Sequence, residues 1–163
     1  RCAILIKIHR KCEEEVKMTT IEPMTEVHAA AVYDMMQTFY ASDAVLTNGS
    51  DEIFQNDIQA CISENPYLEG FVFLQEGIGG GDAMIAKSFS TEFGRSCIWI
   101  EDIYLQPQAR GQGTAGQFFG FLEQRFPNSI LRLEAEEENH RAIRAYRKAG
   151  FDVMPYLEMF KLL

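Results

Sequence analysis

The sequence predicts an α/β domain: a mixed central sheet with helices on both faces. Three observations carry that prediction. Apolar periodicity alternates between two-residue and 3.6-residue spacing in the order β-α-α-β-β-β-α-β-α-β, the signature of layered sheet and helix. A β-prone run, Cys97 to Leu105, breaks at Pro107 into a loop holding Gly111 and Gly113, and a helical pattern starts at Ala115. The chain, at 163 residues and 47 % hydrophobic, is long enough for one substantial core and too short for two.

Composition excludes several functions. A net charge of −9 argues against general nucleic-acid binding and favours cationic or neutral partners. No apolar run approaches the roughly 18–20 residues of a membrane span. Cys2, Cys12, Cys61 and Cys97 are scattered without a Cys-x-x-Cys pair, so neither a zinc site nor a disulfide framework is indicated, and a reduced cytoplasm is the simplest compartment.

Each element has its own reason. Residues 1–17 read as an N-terminal extension, vector-derived or upstream, because Met18 opens a plausible start; the single domain is expected over 18–163. Thr19 to Glu22 is a short strand ended by Pro23. A helix is expected from about Thr25 to Tyr40, with Val32, Met35, Met36, Phe39 and Tyr40 on one face. Ser50 caps a second helix, whose first turn holds Asp51 and Glu52 and whose stripe is Phe54, Ile58, Cys61 and Ile62. Phe71 and Phe73 mark a strand, Gly77 to Asp82 a glycine-rich hairpin turn, and Ala83 to about Ser90 the next strand. After the Cys97–Leu105 strand, Ala115, Phe118, Phe119, Leu122 and Phe126 define a helix ended by Pro127. Ile130 to Ala135 is a strand, Asn139 to Ala149 a helix with Gly150 at its C-terminal cap, and a final strand is expected within Phe151 to Leu163.

The loop Gln108-x-x-Gly111-x-Gly113 is where the chemistry is legible. Glycines let the backbone turn tightly and leave its N–H groups uncovered, and the positive end of the following helix makes them a cradle for phosphate. Arg110 adds a cation beside it. No Lys-Ser/Thr follows the second glycine, so this is not a Walker loop, and two late glycines do not make a Rossmann fingerprint. The hexapeptide resembles the Gln/Arg-x-x-Gly-x-Gly/Ala loop of the GNAT N-acetyltransferases. A second stretch is similar to that family's strand–helix signature: Leu133-Glu134-Ala135, then Asn139-x-x-Ala142-Ile143-x-x-Tyr146-x-x-x-Gly150-Phe151. The resemblance covers roughly residues 18–163. Trp99-Ile100-Glu101-Asp102-Ile103-Tyr104-Leu105 further resembles the Leu-Glu-Asp-Phe-Phe-Val strand of the diamine acetyltransferase branch.

The resemblance implies the GNAT fold, acetyl-CoA as co-substrate and transfer of acetyl to a primary amine by direct attack in a ternary complex. A protonated amine cannot attack a thioester, so a base must take its proton. The diamine branch implies Glu101 for that role; another branch, acting on protein amino termini, implies Glu134. Tyr146 is implied as the acid that protonates the leaving thiolate. The pantetheine arm is expected along the main chain of Ile103 and Leu105, where two strands splay. The remaining cofactor residues implied are Gln108, Arg110, Gly111, Gln112, Gly113, Thr114 and Asn139. Asp102 and Glu136 are expected to steer a cationic substrate. Asp102 points to the opposite face from Glu101 on an ideal strand, unless a bulge re-aims it.

Other chemistries find no support. His9, His28 and His140 form no ligand spacing, and there is no Gly-x-Ser-x-Gly elbow. Glu136 to Glu138 read first as a solvated charge run. The alternatives to a small-amine acetyltransferase are a peptide or protein amino-terminal acetyltransferase and a non-catalytic acyl-CoA-binding module. A homodimer is also open to such a chain.

Overall fold

The computed structural model describes residues 19–45, 47–75 and 77–162. The extension read at residues 1–17 lies outside them. Five strands form one sheet in the order β1 (Thr20–Pro23), β2 (Leu68–Gln75), β3 (Ile78–Ser90), β4 (Arg95–Leu105) and β5 (Ile130–Leu133). The first four pair antiparallel and β4 pairs β5 in parallel, so the sheet is mixed as expected. A parallel pair requires a crossover, and α3 (Thr114–Arg125) supplies it.

Helices cover both faces. α1 (Ala29–Tyr40) and α2 (Asp51–Ile62) close one core with Met24, Val72, Met84 and Tyr104. The predicted stripes are the buried ones: Val32, Met35 and Met36 on α1, and Phe54, Ile58 and Cys61 on α2. The helix expected from Thr25 begins instead with a 3-10 turn at Glu26–His28, where Thr25 N–H donates to His28 Nδ1 at 3.1 Å. Ser50 caps α2 as its sequence requires, its Oγ accepting from Ile53 N–H at 3.2 Å. On the other face α3 sinks Phe118, Phe119 and Leu122 against Phe71, Phe73, Ile85 and Ile98. Each such side chain contributes about 1.5–3 kcal/mol by leaving water. α4 (His140–Lys148) joins through Tyr146, whose ring stands 5.9 Å from Phe119. Gly150, at φ 93°, ends it: Gly150 N–H bonds Arg147 O and Phe151 N–H bonds Tyr146 O.

Three expectations need correction. The glycines of the supposed turn at Gly77 to Asp82 lie mostly inside β3; only Gly77, at φ 79°, turns. Phe73 pairs with Gly81 and Leu74 with Gly79, so Gly80 is an extra residue in the ladder. A Cβ on Gly81 would lie 2.2 Å from Tyr104 O, so close approach of β4 explains that glycine. The strand expected to Ala135 stops at Leu133. The final strand is absent over Phe151–Leu162. Phe151 packs back against Phe119 (ring centroids 5.2 Å), Pro155 lacks an N–H, and Tyr156 donates to Glu92 Oε1 at 2.8 Å, while the tail forms no ladder with β5.

Candidate active site

The site is built by an irregularity in β4. Met84 of β3 faces Asp102 while Ile85 faces Ile100, which leaves Glu101 with no partner across the ladder. This bulge inverts the side-chain alternation. Ile98 and Ile100 before it, and Ile103 and Leu105 after it, all face α3, while Asp102 and Tyr104 face the helices α1 and α2. Without the bulge, Asp102 would enter the apolar α3 core. Instead Asp102 turns to the α1/α2 side, where the Tyr40 phenol meets it, and Glu101 stays exposed at the bulge.

The ladder to β5 ends at the same point. Its register runs from Cys97↔Ile130 to Ile100↔Leu133, so the β5-facing edge of Glu101–Leu105 carries no strand partner among the described residues. Sequence reasoning expected two splayed strands near Leu105 and Leu133; β5 itself ends at Leu133, opposite Ile100. Ile103 and Leu105 lie on that unpaired length.

Around the bulge the chain places acids together. Asp102 is 9 % exposed and accepts from the Tyr40 phenol at 3.1 and 3.3 Å. Burial pushes its carboxyl up to about 6, the Tyr40 bond pulling against that and Asp57 adding to it. Behind it Asp82, opposite Tyr104 on β3, is 2 % exposed, and its Oδ1 has no hydrogen-bond partner. Its carboxyl is raised well above the usual carboxylate range by burial and then by the Asp102 charge. Glu101 stands at the exposed rim. Desolvation raises it first, then the charges of Asp102, Glu158 and Asp57. Burial raises the Tyr40 phenol beyond the range of ordinary titration, with Asp102 next. Tyr40, Asp57, Asp82 and Glu158 were not singled out from the sequence as site residues. Tyr40 does lie on the predicted inward stripe of α1; Asp82 was hidden in the supposed turn.

The glycine loop lies one turn beyond Leu105. A 3-10 turn at Pro107–Ala109 leads into it, and Gly111 and Gly113 take φ of 79° and 82°. Gly113 is the N-terminal cap of α3 with no side-chain cap bond, and Gln117 N–H makes the bond back to Gly113 O. The first-turn N–H groups of α3 therefore have no intrahelical acceptor. A Cβ on either glycine would meet nothing within 4 Å, so the loop faces open space. An anion such as a pyrophosphate fits this cradle. Three side chains of the loop do other work. Arg110 Nε donates to Leu105 O at 2.8 Å, with its guanidinium 5.7 Å from the Tyr104 ring centroid. Thr114 is buried, its hydroxyl within hydrogen-bond reach of Thr19 Oγ1 and Gln75 Nε2. Gln112 Nε2 donates to Gln108 O at 2.6 Å, and Gln108 Nε2 to Gln106 Oε1. What these residues offer a ligand at the cradle is chiefly main chain.

The remaining predicted residues are dispersed. Tyr146 lines a groove of about 1270 Å³ beside β5, packed between Phe119 and Phe151, with burial raising its phenol. Asn139 caps α4, Oδ1 accepting from Ala142 N–H at 3.2 Å. Glu134 lies past the end of β5, exposed along the same groove. Glu136 is half-buried and its carbonyl accepts from Asn139 N–H. No group of three or more metal-binding side chains exists among the described residues, and none of their helices is long and apolar enough to cross a membrane.

The pattern of the acetyltransferase (GNAT) family matches residues 30–151. The chain belongs to that family. As a GNAT acetyltransferase it uses acetyl-CoA as its acyl donor. Curated protein sequences gave no match. Solved structures with the same fold include the aminoglycoside N-acetyltransferase AAC(6')-Iy in complex with a bisubstrate analog, CoA-S-monomethyl-acetylneamine. It is 15 % identical, with 90 % of this chain and 99 % of that one covered at a TM-score of 0.71. A second is the aminoglycoside acetyltransferase meta-AAC0020 from an uncultured soil metagenomic sample, 13 % identical over 89 % and 95 % of the two chains at a TM-score of 0.65. A third is a predicted acetyltransferase with acetyl-CoA from Clostridium acetobutylicum, 18 % identical over 88 % and 96 % at 0.67. At these identities the likeness is one of fold.

Proposed function

We propose that this GNAT acetyltransferase acetylates the primary amino group of a small cationic amine, with Glu101 accepting the amine proton. The observation that carries the reading is the bulge at Glu101. It leaves Glu101 unpaired and exposed and turns its neighbour Asp102 to the α1/α2 face, at the point where the β4–β5 ladder ends. A cationic acceptor is drawn to such a face, and the net charge of −9 adds a longer-range pull that salt weakens. The aminoglycoside part of the AAC(6')-Iy ligand is an amine acceptor of that general kind, which agrees with the proposal.

In this reading the acetyl thioester lies along the unpaired edge of Glu101–Leu105, with its pyrophosphate on the amides that begin at Gly111. Main-chain N–H groups of that edge stabilise the oxyanion as the amine attacks. Glu101, raised by its surroundings, takes the proton that the ammonium must lose; Asp102 holds positive charge nearby. The C–N bond forms, the C–S bond breaks, and Tyr146 supplies the proton to the departing thiolate. Nothing in the cycle calls for a metal. A cytoplasmic location fits the free cysteines Cys61 and Cys97, both buried.

The test is thiol release from acetyl-CoA against polyamines, aminoglycosides, amino acids and peptides. Polyamines and aminoglycosides are expected to lead. Preference for a peptide amino terminus would shift the base to Glu134, which is exposed along the β5 groove. No turnover with any amine, alongside tight CoA binding, would leave the non-catalytic module.

A further inference from the structure

The open glycine loop is gripped at both ends by one corner of the sheet. Ahead of it, Gln106 N–H donates to Gly80 O at 2.9 Å, and Ala109 is buried where a Cβ on Gly80 would come within 3.3 Å of it. Behind it, Gln75 Nε2 donates to the Thr114 hydroxyl at 3.3 Å, and that hydroxyl lies 3.2 Å from Thr19 Oγ1. Gln75 ends β2, Gly80 is the extra residue of β3, and Thr19 directly precedes β1. Thr19 also donates its N–H to Gln117 Oε1, one turn further along α3, at 3.1 Å.

Thr114 stands where its hydroxyl cannot cap the helix. A helix ordinarily satisfies its first amides with a Ser, Thr, Asp or Asn side chain at the cap. Here the cap is Gly113, and a capping oxygen would compete with a phosphate for the same N–H groups. The hydroxyl comes one residue later, on a residue 1 % exposed, and bonds toward the sheet instead. A buried hydroxyl costs free energy unless it is bonded, so its partners on β2 and ahead of β1 decide what it does. They fix the first turn of α3 from its inner side and leave its amides to a ligand.

We propose that Thr114 and Gln75 are positioning residues for the cofactor. They hold the first turn of α3, and with it the amides that receive the pyrophosphate of CoA, in place before CoA arrives. The Thr114 hydroxyl, engaged with Thr19 and Gln75, acts through the backbone and not by touching the ligand. The inference rests on the pyrophosphate lying on the amides that begin at Gly111. Glycines at 111 and 113 give the loop more backbone freedom than other residues would, and freedom lost on binding weakens affinity. A loop already ordered from the sheet avoids that loss.

The experiment compares the affinities of CoA and of pantetheine, which lacks the pyrophosphate, by titration calorimetry on folded variants. Thr114→Val keeps the shape and removes the hydroxyl; its Kd for CoA is expected to be about tenfold weaker, with that for pantetheine changed less than about twofold. Thr114→Ser, which keeps the hydroxyl, is expected to bind CoA within about twofold of the wild type. CoA affinity unchanged in Thr114→Val but weakened in Gly113→Asp would overturn the proposal while leaving the cradle where it is. Unchanged affinity in both would place the pyrophosphate elsewhere and overturn the two together. Equal losses for CoA and pantetheine would also overturn it, since the hydroxyl would then support the whole fold and not the cradle. Should Thr114→Val not fold, Gln75→Met, which removes the donor to that hydroxyl, is read by the same comparison.

Discussion

The phenol of Tyr40, at the last residue of α1, donates to both carboxylate oxygens of Asp102, at 3.1 and 3.3 Å. The bond joins the α1 end to β4 one residue beyond the bulge. It favours the ionised acid, yet burial outweighs it and Asp102 stands at about 6. Tyr40→Phe removes the donor, so the Asp102 carboxyl should rise further. Carbon-13 NMR titration of the side-chain carboxyl reads this directly, and an unmoved or lowered midpoint would count against the bond.

Asp82 and Asp102 make the fold sensitive to alkali. Both carboxyls are raised in the folded state, so folding favours their protonated forms. That stability is complete below the unfolded value near 3.8 and is lost as pH rises through about 6 for Asp102 and through the raised value of Asp82. Asp82→Asn keeps the shape and cannot ionise. Its Tm should exceed that of the wild type increasingly from pH 5 to pH 9, by about 2–4 °C for each kcal/mol recovered in a chain of this size. A gap that stays constant over that range would show that ionisation of Asp82 does not cost the fold.

How far the sequence revealed this protein depended on whether a signal was local. Ser50, the glycines at 111 and 113, and the α3 stripe of Phe118, Phe119 and Leu122 each act within a turn or two of helix, and each was readable. The bulge at Glu101 was not, because it depends on register against Met84 and Ile85 some fifteen residues upstream. Nor was the pairing of Tyr40 with Asp102, since periodicity turned Tyr40 inward without naming its partner. Gly79–Gly81 misled: glycine marks turns and close backbone contacts alike, and at Gly81 the neighbouring strand decided which. The missing final strand was a misreading of another kind: β-prone residues past Phe151 did not enter a ladder, Phe151 packing back on Phe119 instead.

Gly113→Asp should abolish much of the CoA affinity. The position has room for a side chain but a φ of 82°, and the new carboxylate would occupy the anion cradle. Titration calorimetry on the folded variant is expected to show at least a tenfold weaker Kd, about 1.4 kcal/mol or more. Unchanged affinity would move the pyrophosphate elsewhere.

Tyr146→Phe keeps the ring between Phe119 and Phe151 and removes only the hydroxyl. With Tyr146 as the acid, kcat should fall about 10²–10⁴-fold while KM for acetyl-CoA barely changes. Turnover at the wild-type rate would reduce Tyr146 to a packing residue.

The most direct test of the whole account is the pH dependence of kcat/KM for the best cationic amine in Glu101→Gln. Glutamine preserves the size of the side chain and cannot accept the proton. Turnover is expected to drop at every pH and most steeply on the acid side, where little free amine exists, with the amine KM changing less than kcat. Full activity of Glu101→Gln from about pH 6 to 9, an interval spanning the ordinary histidine and amino-terminal values, would contradict the assignment of Glu101 as the base.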